Sequence, residues 1–163
     1  MVEAFSELQR EFFEFVADIK YSTMTTVDSR GRPRSRVLVP IWQVIDGRPV
    51  GWIATYRTPV KTAHLARNPH VTTSYWSPAQ NAVYVDSVAS WVDDHEVKRE
   101  VWELYRQGSP PPVGYDPQTY WKKGPSDPEY HVLRLDPWRV QVLRGRDLAT
   151  GRPARVWRAE GAA

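Results

Sequence analysis

The chain has 163 residues, no cysteine, and ordinary shares of hydrophobic (41%) and charged (25%) residues, which are typical of one globular domain and exclude wholesale disorder. The absence of cysteine excludes disulfides, thiolate metal sites and thiol catalysis, and it fits a cytoplasmic protein. The net charge of +3 suits an anionic small molecule as well as nucleic acid, and since no apolar run approaches the length of a membrane span we expect no membrane partner.

The first elements predicted are an amphipathic helix and two strands. The helix covers residues 4–19, because apolar residues recur there at spacings of three and four: Phe5, Leu8, Phe12, Phe15 and Ile19. A strand is expected at residues 24–27, and a turn at residues 28–33 closes it. Residues 35–45 predict one long strand, in which Pro40 indicates an edge position or a bulge, because proline cannot donate to the ladder.

A hairpin and a short helix follow. Asp46-Gly47 predicts a hairpin turn into a strand at residues 50–55. Residues 59–67 predict a helix that Asn68-Pro69 ends, since the residue before a proline disfavours helical backbone.

The next elements are two strands and a second long helix. The strands are expected at residues 70–76 and 82–92, and the helix at residues 93–106, with Asp93 or Asp94 as its N-cap.

The last part of the chain predicts loops and strands. Residues 108–117 form a proline-rich loop, and residues 118–128 favour no defined element; Trp121-Lys122-Lys123-Gly124 within them is interpreted as a packed loop, with a lid over a ligand as the alternative. Two strands are expected at residues 130–135 and 138–143, separated by a turn or bend at Asp136-Pro137.

Short strands joined by tight turns predict a mainly β fold with flanking helices, in which an antiparallel sheet closes or half-closes. We expect a single domain of residues 1–163, with a barrel over about residues 21–143 and a tail from residue 144.

Polar and cationic residues cluster where the strand at 50–55 gives way to the helix at 59–67. Arg57 and Lys61 lie four residues apart, and Thr58 lies at the helix start, where free backbone N–H groups and the helix dipole favour an anion. A hydroxyl and two cations suit a terminal phosphate. The alternative is that Thr58 only caps the helix and the cations are solvated. We place Arg36 in the preceding strand of the same hairpin.

An ordered set of motifs runs through about residues 20–92. It consists of Ser35-Arg36-Val37-Leu38, then Thr55-Tyr56-Arg57 through Lys61, then Leu65, Asn68-Pro69 and Val71-Thr72-Thr73-Ser74-Tyr75. This set resembles the FMN-binding split β-barrel superfamily, which contains pyridoxamine 5′-phosphate oxidase. The resemblance implies an antiparallel split β-barrel and a homodimer with two cofactors at the subunit interface.

The resemblance also implies which residues bind the cofactor. Arg36, with its neighbours Val37 and Leu38, would touch the edge of the isoalloxazine ring. The ribityl phosphate would be held by Thr55, Arg57, Thr58 and Lys61, with Tyr56 also in the site. Tyr75, Trp76 and Gln80 would approach from the following strands of the same or the other subunit. No catalytic side chain is predicted, because the flavin itself carries the hydride chemistry. No metal site is predicted, because the four histidines lack metal-like spacing with carboxylates.

The chain departs from pyridoxamine 5′-phosphate oxidase proper at its C-terminal motif. That enzyme ends in Arg-Leu-x-Pro, preceded by an Arg-x-His-Asp-Arg stretch for the substrate phosphate. Here a strand-like segment follows Arg134-Leu135-Asp136-Pro137 and the upstream stretch is missing, so we interpret the tetrapeptide as a strand and turn and do not expect a vitamin B6 substrate.

The function predicted is that of an FMN-dependent oxidoreductase acting on a small or planar organic substrate of unknown identity. One alternative is a reductase that uses the deazaflavin coenzyme F-420, whose longer anionic tail Arg30, Arg32 and Arg34 would favour. Another is a non-catalytic flavin-binding protein. A nucleic-acid binder is disfavoured, because the basic cluster around residues 30–36 belongs to no known nucleic-acid motif.

Overall fold

A nine-stranded, mainly antiparallel sheet forms the centre of the computed structural model, which describes residues 2–108 and 116–161. Its strands are β1 (Val2–Glu3), β2 (Ser22–Val27), β3 (Pro33–Leu38), β4 (Ile41–Ile45), β5 (Arg48–Thr55), β6 (His70–Trp76), β7 (Ala82–Val92), β8 (His131–Leu143) and β9 (Arg155–Arg158). The helices are α1 (Phe5–Ile19), α2 (Pro59–Arg67), α3 (His95–Gly108) and α4 (Gly145–Leu148), with 3-10 turns at Pro117–Thr119 and Gly124–Ser126. The predicted fold class is confirmed.

The sheet forks at β8. One path runs in the order β3-β2-β6-β7-β8-β9-β1, and β4 and β5 lie off this path. The first half of β8 pairs with β5, where His131 faces Thr55, and the second half pairs with β9, where Val142 faces Arg155. β1 pairs with β9 in parallel, whereas the other pairs are antiparallel.

The single long strand expected at residues 35–45 is wrong. The structure divides it at Val39 and Pro40 into β3 and β4, which have different partners: β3 pairs with β2, and β4 pairs with β5. Arg36 therefore lies in the β2–β3 hairpin and not in the hairpin around Asp46. That second hairpin is confirmed, because Asp46 and Gly47 both have positive φ (51° and 73°), as a type I′ turn requires.

The two strands expected around Asp136-Pro137 are one strand, β8. The pairing with β7 shifts between Asp86, which faces Arg139, and Ser87, which faces Pro137. The extra residue forms a bulge, and a bulge is where a strand tolerates a proline.

The C-terminal segment, expected as a tail, contributes β9 to the sheet. Trp157 of β9 is buried in the core beside Phe5 of α1, with ring centroids 5.6 Å apart. Residues 109–115 of the predicted proline-rich loop, and the last two residues of the tail, lie outside the described residues.

The second long helix begins at His95, two residues later than expected. Asp94 is its cap, because Asp94 Oδ1 accepts hydrogen bonds from the backbone N–H groups of Glu96 (2.8 Å) and Val97 (3.3 Å).

Two hydrophobic clusters hold the sheet. The first packs α1 onto the sheet through side chains that include Leu8 and Phe12. The second joins β5, α3 and the segment before β8, and its members are Val50, Trp52, Ala54, Val101, Trp102, Tyr105, Trp121, Tyr130 and Val132. Within it the Tyr105 hydroxyl donates to the carbonyl of Val39 and accepts from the N–H of Ala54 at 3.2 Å. This contact ties the break after β3 to the end of β5.

None of the helices in the described ranges has the length and apolar character needed to cross a bilayer.

Candidate functional site

Lys61 is a buried lysine in the first turn of α2. Its side chain is 5% exposed, and Nζ donates to Thr55 Oγ1 (2.6 Å) and to the carbonyl oxygen of Tyr56 (2.8 Å). Burial, together with repulsion from Arg36, lowers the pKa of Lys61 from 10.5 to about 8. Both effects penalise the charged ammonium, so the position favours an added negative charge.

Arg36 projects from β3 toward Lys61. Its Nη1 donates to Thr26 Oγ1 of β2 at 2.9 Å, and burial lowers the pKa of its guanidinium. Among the described residues, no carboxylate lies within ion-pair distance of Arg36 or Lys61. Two partly or fully buried cations without an acidic partner are costly to the protein alone, and an anion bound between them would compensate them.

Arg57 completes this group, which we call the cation cluster (Arg36, Arg57 and Lys61). The Arg57 guanidinium carbon lies 5.0 Å from the centre of the Trp91 ring, and Lys61 Nζ lies 6.0 Å from the same ring. Arg57 also approaches the exposed carboxylate of Asp93 at 4.0 Å, a distance at which an exposed pair is weak. Arg57 and Lys61 therefore both lie beside the Trp91 ring.

The start of α2 lies at the cation cluster. Thr58 occupies the N-cap position, but its side chain makes no capping hydrogen bond. Its carbonyl accepts the N–H of Thr62 at 2.9 Å. The N–H groups of Val60 and Lys61 precede this first intrahelical bond, and such groups favour an anion.

An apolar pocket of about 260 Å³ adjoins the cation cluster. It is lined by the end of β3 with Val39 (Val37, Leu38, Val39), the end of β5 with Tyr56 (Ala54, Thr55, Tyr56), and Tyr21, Tyr120 and Trp121. Thr55 links the two parts of the site, because its side chain lines the pocket and its hydroxyl accepts from Lys61. A planar ring in the pocket and a phosphate at the cations would therefore lie on either side of Thr55.

The segment around Trp121 is a packed loop, as interpreted from the sequence. Trp121 is buried, and its Nε1 donates to the carbonyl of Glu129 at 2.9 Å. Tyr56 packs against Trp121 with ring centroids 5.3 Å apart. The loop therefore forms one wall of the pocket.

The structure does not bring Tyr75 to the site. Tyr75 is 1% exposed in the first hydrophobic cluster, where its hydroxyl accepts from Trp42 Nε1 at 2.8 Å and burial raises its pKa. Trp76 and Gln80 are exposed at the β6–β7 turn, where Trp76 Nε1 donates to Gln80 Oε1 at 3.3 Å. Within the described part of the chain, neither forms a hydrogen bond or ion pair with the cation cluster.

Three residues at the site were not predicted: Thr26, His64 and Trp91. The spacing of three residues between Lys61 and His64 places both on one face of α2, and this signal was available. Thr26 and Trp91 come from other strands, and their proximity depends on how the strands pair.

The fold agrees with comparisons with known proteins. A family model described as pyridoxamine 5′-phosphate oxidase matches residues 8–144. The chain belongs to this family. In a comparison with curated proteins no sequence matches the chain.

Several solved structures share the fold of this family member. A Clostridium acetobutylicum protein related to general stress protein 26 of Bacillus subtilis is 15% identical, with 94% of this chain and 96% of that chain covered and a TM-score of 0.72. A pyridoxamine 5′-phosphate oxidase-related, FMN-binding protein from Nostoc punctiforme is 17% identical, with 94% and 88% covered and a TM-score of 0.64. A NimC/NimA family protein from Clostridium acetobutylicum is 15% identical, with 96% and 94% covered and a TM-score of 0.65. At these identities the likeness shows the fold alone.

Proposed function

We propose that this family member binds FMN at the interface of a homodimer and acts as an oxidoreductase on a small or planar organic substrate. One observation carries the proposal: two cations without a carboxylate partner among the described residues, Arg36 and Lys61, lie beside an apolar pocket, and Thr55 links them to it.

The phosphate of FMN fits the cation cluster. A phosphate ester carries about −1.5 to −2 charges near pH 7 and offers three acceptor oxygens. The ammonium of Lys61, the guanidinium groups of Arg36 and Arg57, and the N–H groups at the start of α2 supply charge-assisted donors. The phosphate would also relieve the repulsion between Arg36 and Lys61.

The ring of FMN fits the pocket beside Thr55. The pocket walls are mostly aliphatic and aromatic, as is usual for a site that takes a planar ring. A bound flavin supplies the hydride chemistry. The chain's own residues hold the phosphate, orient the ring against Val37 and Leu38, and exclude water through Tyr56 and Trp121.

A second copy of the chain would complete the pocket. At about 260 Å³ the pocket is smaller than the ligand clefts of about 300–1,000 Å³ found in most proteins. Its rim is apolar and exposed: Val37 is 64% exposed, and Tyr56 and Tyr120 are also exposed. Trp76 and Gln80, which lie apart from the cation cluster, are then available to a partner subunit's pocket.

A deazaflavin is the alternative cofactor, because its ring and phosphate resemble those of FMN. Of the arginines expected to favour its longer tail, Arg32 is engaged by Asp28 at 2.7 Å, whereas Arg30 and Arg34 are exposed and form no ion pair with a described residue. Arg30 and Arg34 therefore remain candidates for contacts beyond the phosphate.

Absorbance titration of the cofactor-free protein with FMN and, separately, with the deazaflavin tests binding and identity together, because the two rings absorb at different wavelengths. We expect tight binding of FMN and a dimer in size-exclusion chromatography with light scattering. Binding of the deazaflavin alone would replace FMN in the proposal, and binding of neither would refute it.

A second experiment separates an enzyme from a non-catalytic flavin-binding protein. The loaded protein is mixed anaerobically with a nicotinamide nucleotide, and bleaching of the cofactor absorbance is followed. Reduction, followed by reoxidation on addition of an organic acceptor, supports an oxidoreductase. A bound cofactor that is neither reduced nor reoxidised supports the non-catalytic alternative.

A further inference from the structure

A chain of two hydrogen bonds connects Arg36 to the buried residues Thr26 and His64. Arg36 Nη1 donates to Thr26 Oγ1 at 2.9 Å, and Thr26 Oγ1 lies 2.9 Å from His64 Nδ1. Thr26 is fully buried and His64 is nearly so. The three residues come from β3, β2 and α2, so the chain of bonds crosses the junction of all three elements.

The donors and acceptors of these groups assign a direction to the bonds. A guanidinium has no acceptor, so Thr26 Oγ1 accepts from Arg36. The hydroxyl then has its own proton to donate, and among the described residues His64 Nδ1 is its remaining partner. We assign this direction to the bond, with His64 Nδ1 as the acceptor and the ring proton on Nε2, because it gives the hydroxyl proton a partner.

The hydrogen bond to Thr26 can hold the Arg36 side chain in place before a ligand binds. Among the described residues, the Arg36 side chain forms this hydrogen bond to Thr26 and no ion pair with a carboxylate. A long arginine side chain loses rotamer freedom when it is immobilised, and this loss opposes binding. An anchor that holds it before the anion arrives removes part of that cost and leaves its other N–H groups available to the anion.

We propose that Thr26, oriented by His64, is the positioning residue that holds Arg36 where it binds the phosphate of the cofactor. The inference rests on the proposed function and adds to it a residue that touches neither the ring nor the phosphate. Two apolar side chains could fill the space of the buried Thr26 and His64 without needing hydrogen-bond partners. The need to hold Arg36 explains why polar residues stand there instead.

The test compares FMN with riboflavin, which lacks the phosphate, by flavin fluorescence titration of the full chain. The variants are Thr26→Val, which keeps the shape and removes the hydroxyl, and Thr26→Ser, which keeps the hydroxyl. We expect Thr26→Val to weaken FMN binding about tenfold, which corresponds to about 1.4 kcal/mol, and to leave riboflavin binding unchanged. Thr26→Ser should restore the wild-type preference for FMN.

Two results would overturn the role of Thr26. One is an unchanged FMN preference in Thr26→Val. The other is an equal loss for FMN and riboflavin, which would indicate a role in packing alone. As a further check, Thr26→Val should have no effect on FMN affinity in an Arg36→Met background, and a persistent tenfold loss there would show that Thr26 does not act through Arg36.

A second pair of variants tests His64 and decides the matter if Thr26→Val fails to fold. His64→Asn keeps an acceptor at the position of Nδ1, and His64→Leu removes it. We expect His64→Leu to lose the FMN preference and His64→Asn to keep it; equal behaviour of the two would overturn the inference. Wild-type protein that binds FMN and riboflavin equally would refute the phosphate site itself, and both proposals would fall with it.

Discussion

Lys61 should lower the stability of the protein when no cofactor is bound. Its pKa falls from 10.5 to about 8 because the ammonium is buried and lies near Arg36. At about 1.36 kcal/mol per unit, keeping Lys61 charged at neutral pH costs at most roughly 3 kcal/mol. Replacing it by methionine, which has similar length and no charge, removes this cost.

The net gain in the variant Lys61→Met is smaller than this limit. Thr55 Oγ1 and the Tyr56 carbonyl lose the ammonium as a donor. The Thr55 hydroxyl already lies 3.5 Å from the Tyr56 carbonyl and can satisfy it in part. We therefore expect Lys61→Met to raise the free energy of unfolding by about 1–2 kcal/mol without cofactor, and to weaken FMN binding by about 1–3 kcal/mol, the scale of a lost charged hydrogen bond.

The pH dependence follows from the direction of the shift. Because the pKa of Lys61 is lower in the folded protein than in the unfolded chain, the unfolded chain binds more protons between about pH 8 and 10.5. The stability of the wild type therefore rises with pH in that window. The advantage of Lys61→Met should be complete at pH 7 and should shrink as the pH is raised through this range.

The assay is urea unfolding, followed by tryptophan fluorescence in a phosphate-free buffer on cofactor-free protein. The exposed Lys122, changed to methionine, is the matched control and should alter stability by less than about 0.5 kcal/mol. A Lys61→Met variant less stable than the wild type at pH 7, or a difference that does not change up to pH 10, would refute the reasoning.

Three further variants test the interior and the termini. Tyr75→Phe leaves the buried Trp42 Nε1 without its acceptor, and should cost about 1–3 kcal/mol in urea unfolding with no change in FMN affinity. Gly51→Ala places a methyl group 2.6 Å from the Trp42 ring, and should lower the midpoint of thermal unfolding through a cost of about 1–3 kcal/mol. Arg155 lowers the pKa of Glu3 below 4.5 by donating to its carboxylate; Glu3→Gln should therefore be less stable than the wild type at pH 7, and the difference should disappear as the pH falls through the lowered pKa.

Each of these expectations has a clear contrary result. A loss of FMN affinity in Tyr75→Phe would indicate that Tyr75 contributes to cofactor binding. An unchanged unfolding midpoint in Gly51→Ala would show that the Trp42 ring has room to move. A difference between Glu3→Gln and the wild type that persists at low pH would show that the ion pair with Arg155 is not its source.

Local sequence signals predicted correctly those elements whose ends are marked by turn residues. The bounds of α2, β6 and β7 agree with the prediction, because prolines stand at the start of α2 and between α2 and β6, and a turn separates the two strands. These signals act within a few residues. They do not require knowledge of which strands pair.

Two prolines, Pro40 in a predicted strand and Pro137 in a predicted turn, show where such signals stop. Pro40 lies where the chain changes partners from β2 to β5, and the strand ends there. Pro137 lies inside β8. The strand continues there because Pro137 lies at a bulge opposite Ser87, where the regular ladder of hydrogen bonds is already interrupted. A proline removes one N–H in both cases, and the neighbouring strands decide whether the strand breaks or bulges.

The order of motifs along the chain was enough to indicate a flavin-type site, with Lys61 and Arg57 at a helix start and Arg36 in an earlier strand. The three-dimensional arrangement places Arg36 near Lys61 and Tyr75 in the core, and it adds Trp91, Thr26 and His64 to the site. These contacts join residues far apart in sequence, and a change of register by one residue would turn each side chain to the other face of the sheet. Residue types and their spacing were therefore enough to predict the kind of site, whereas strand pairing determines which residues meet in it.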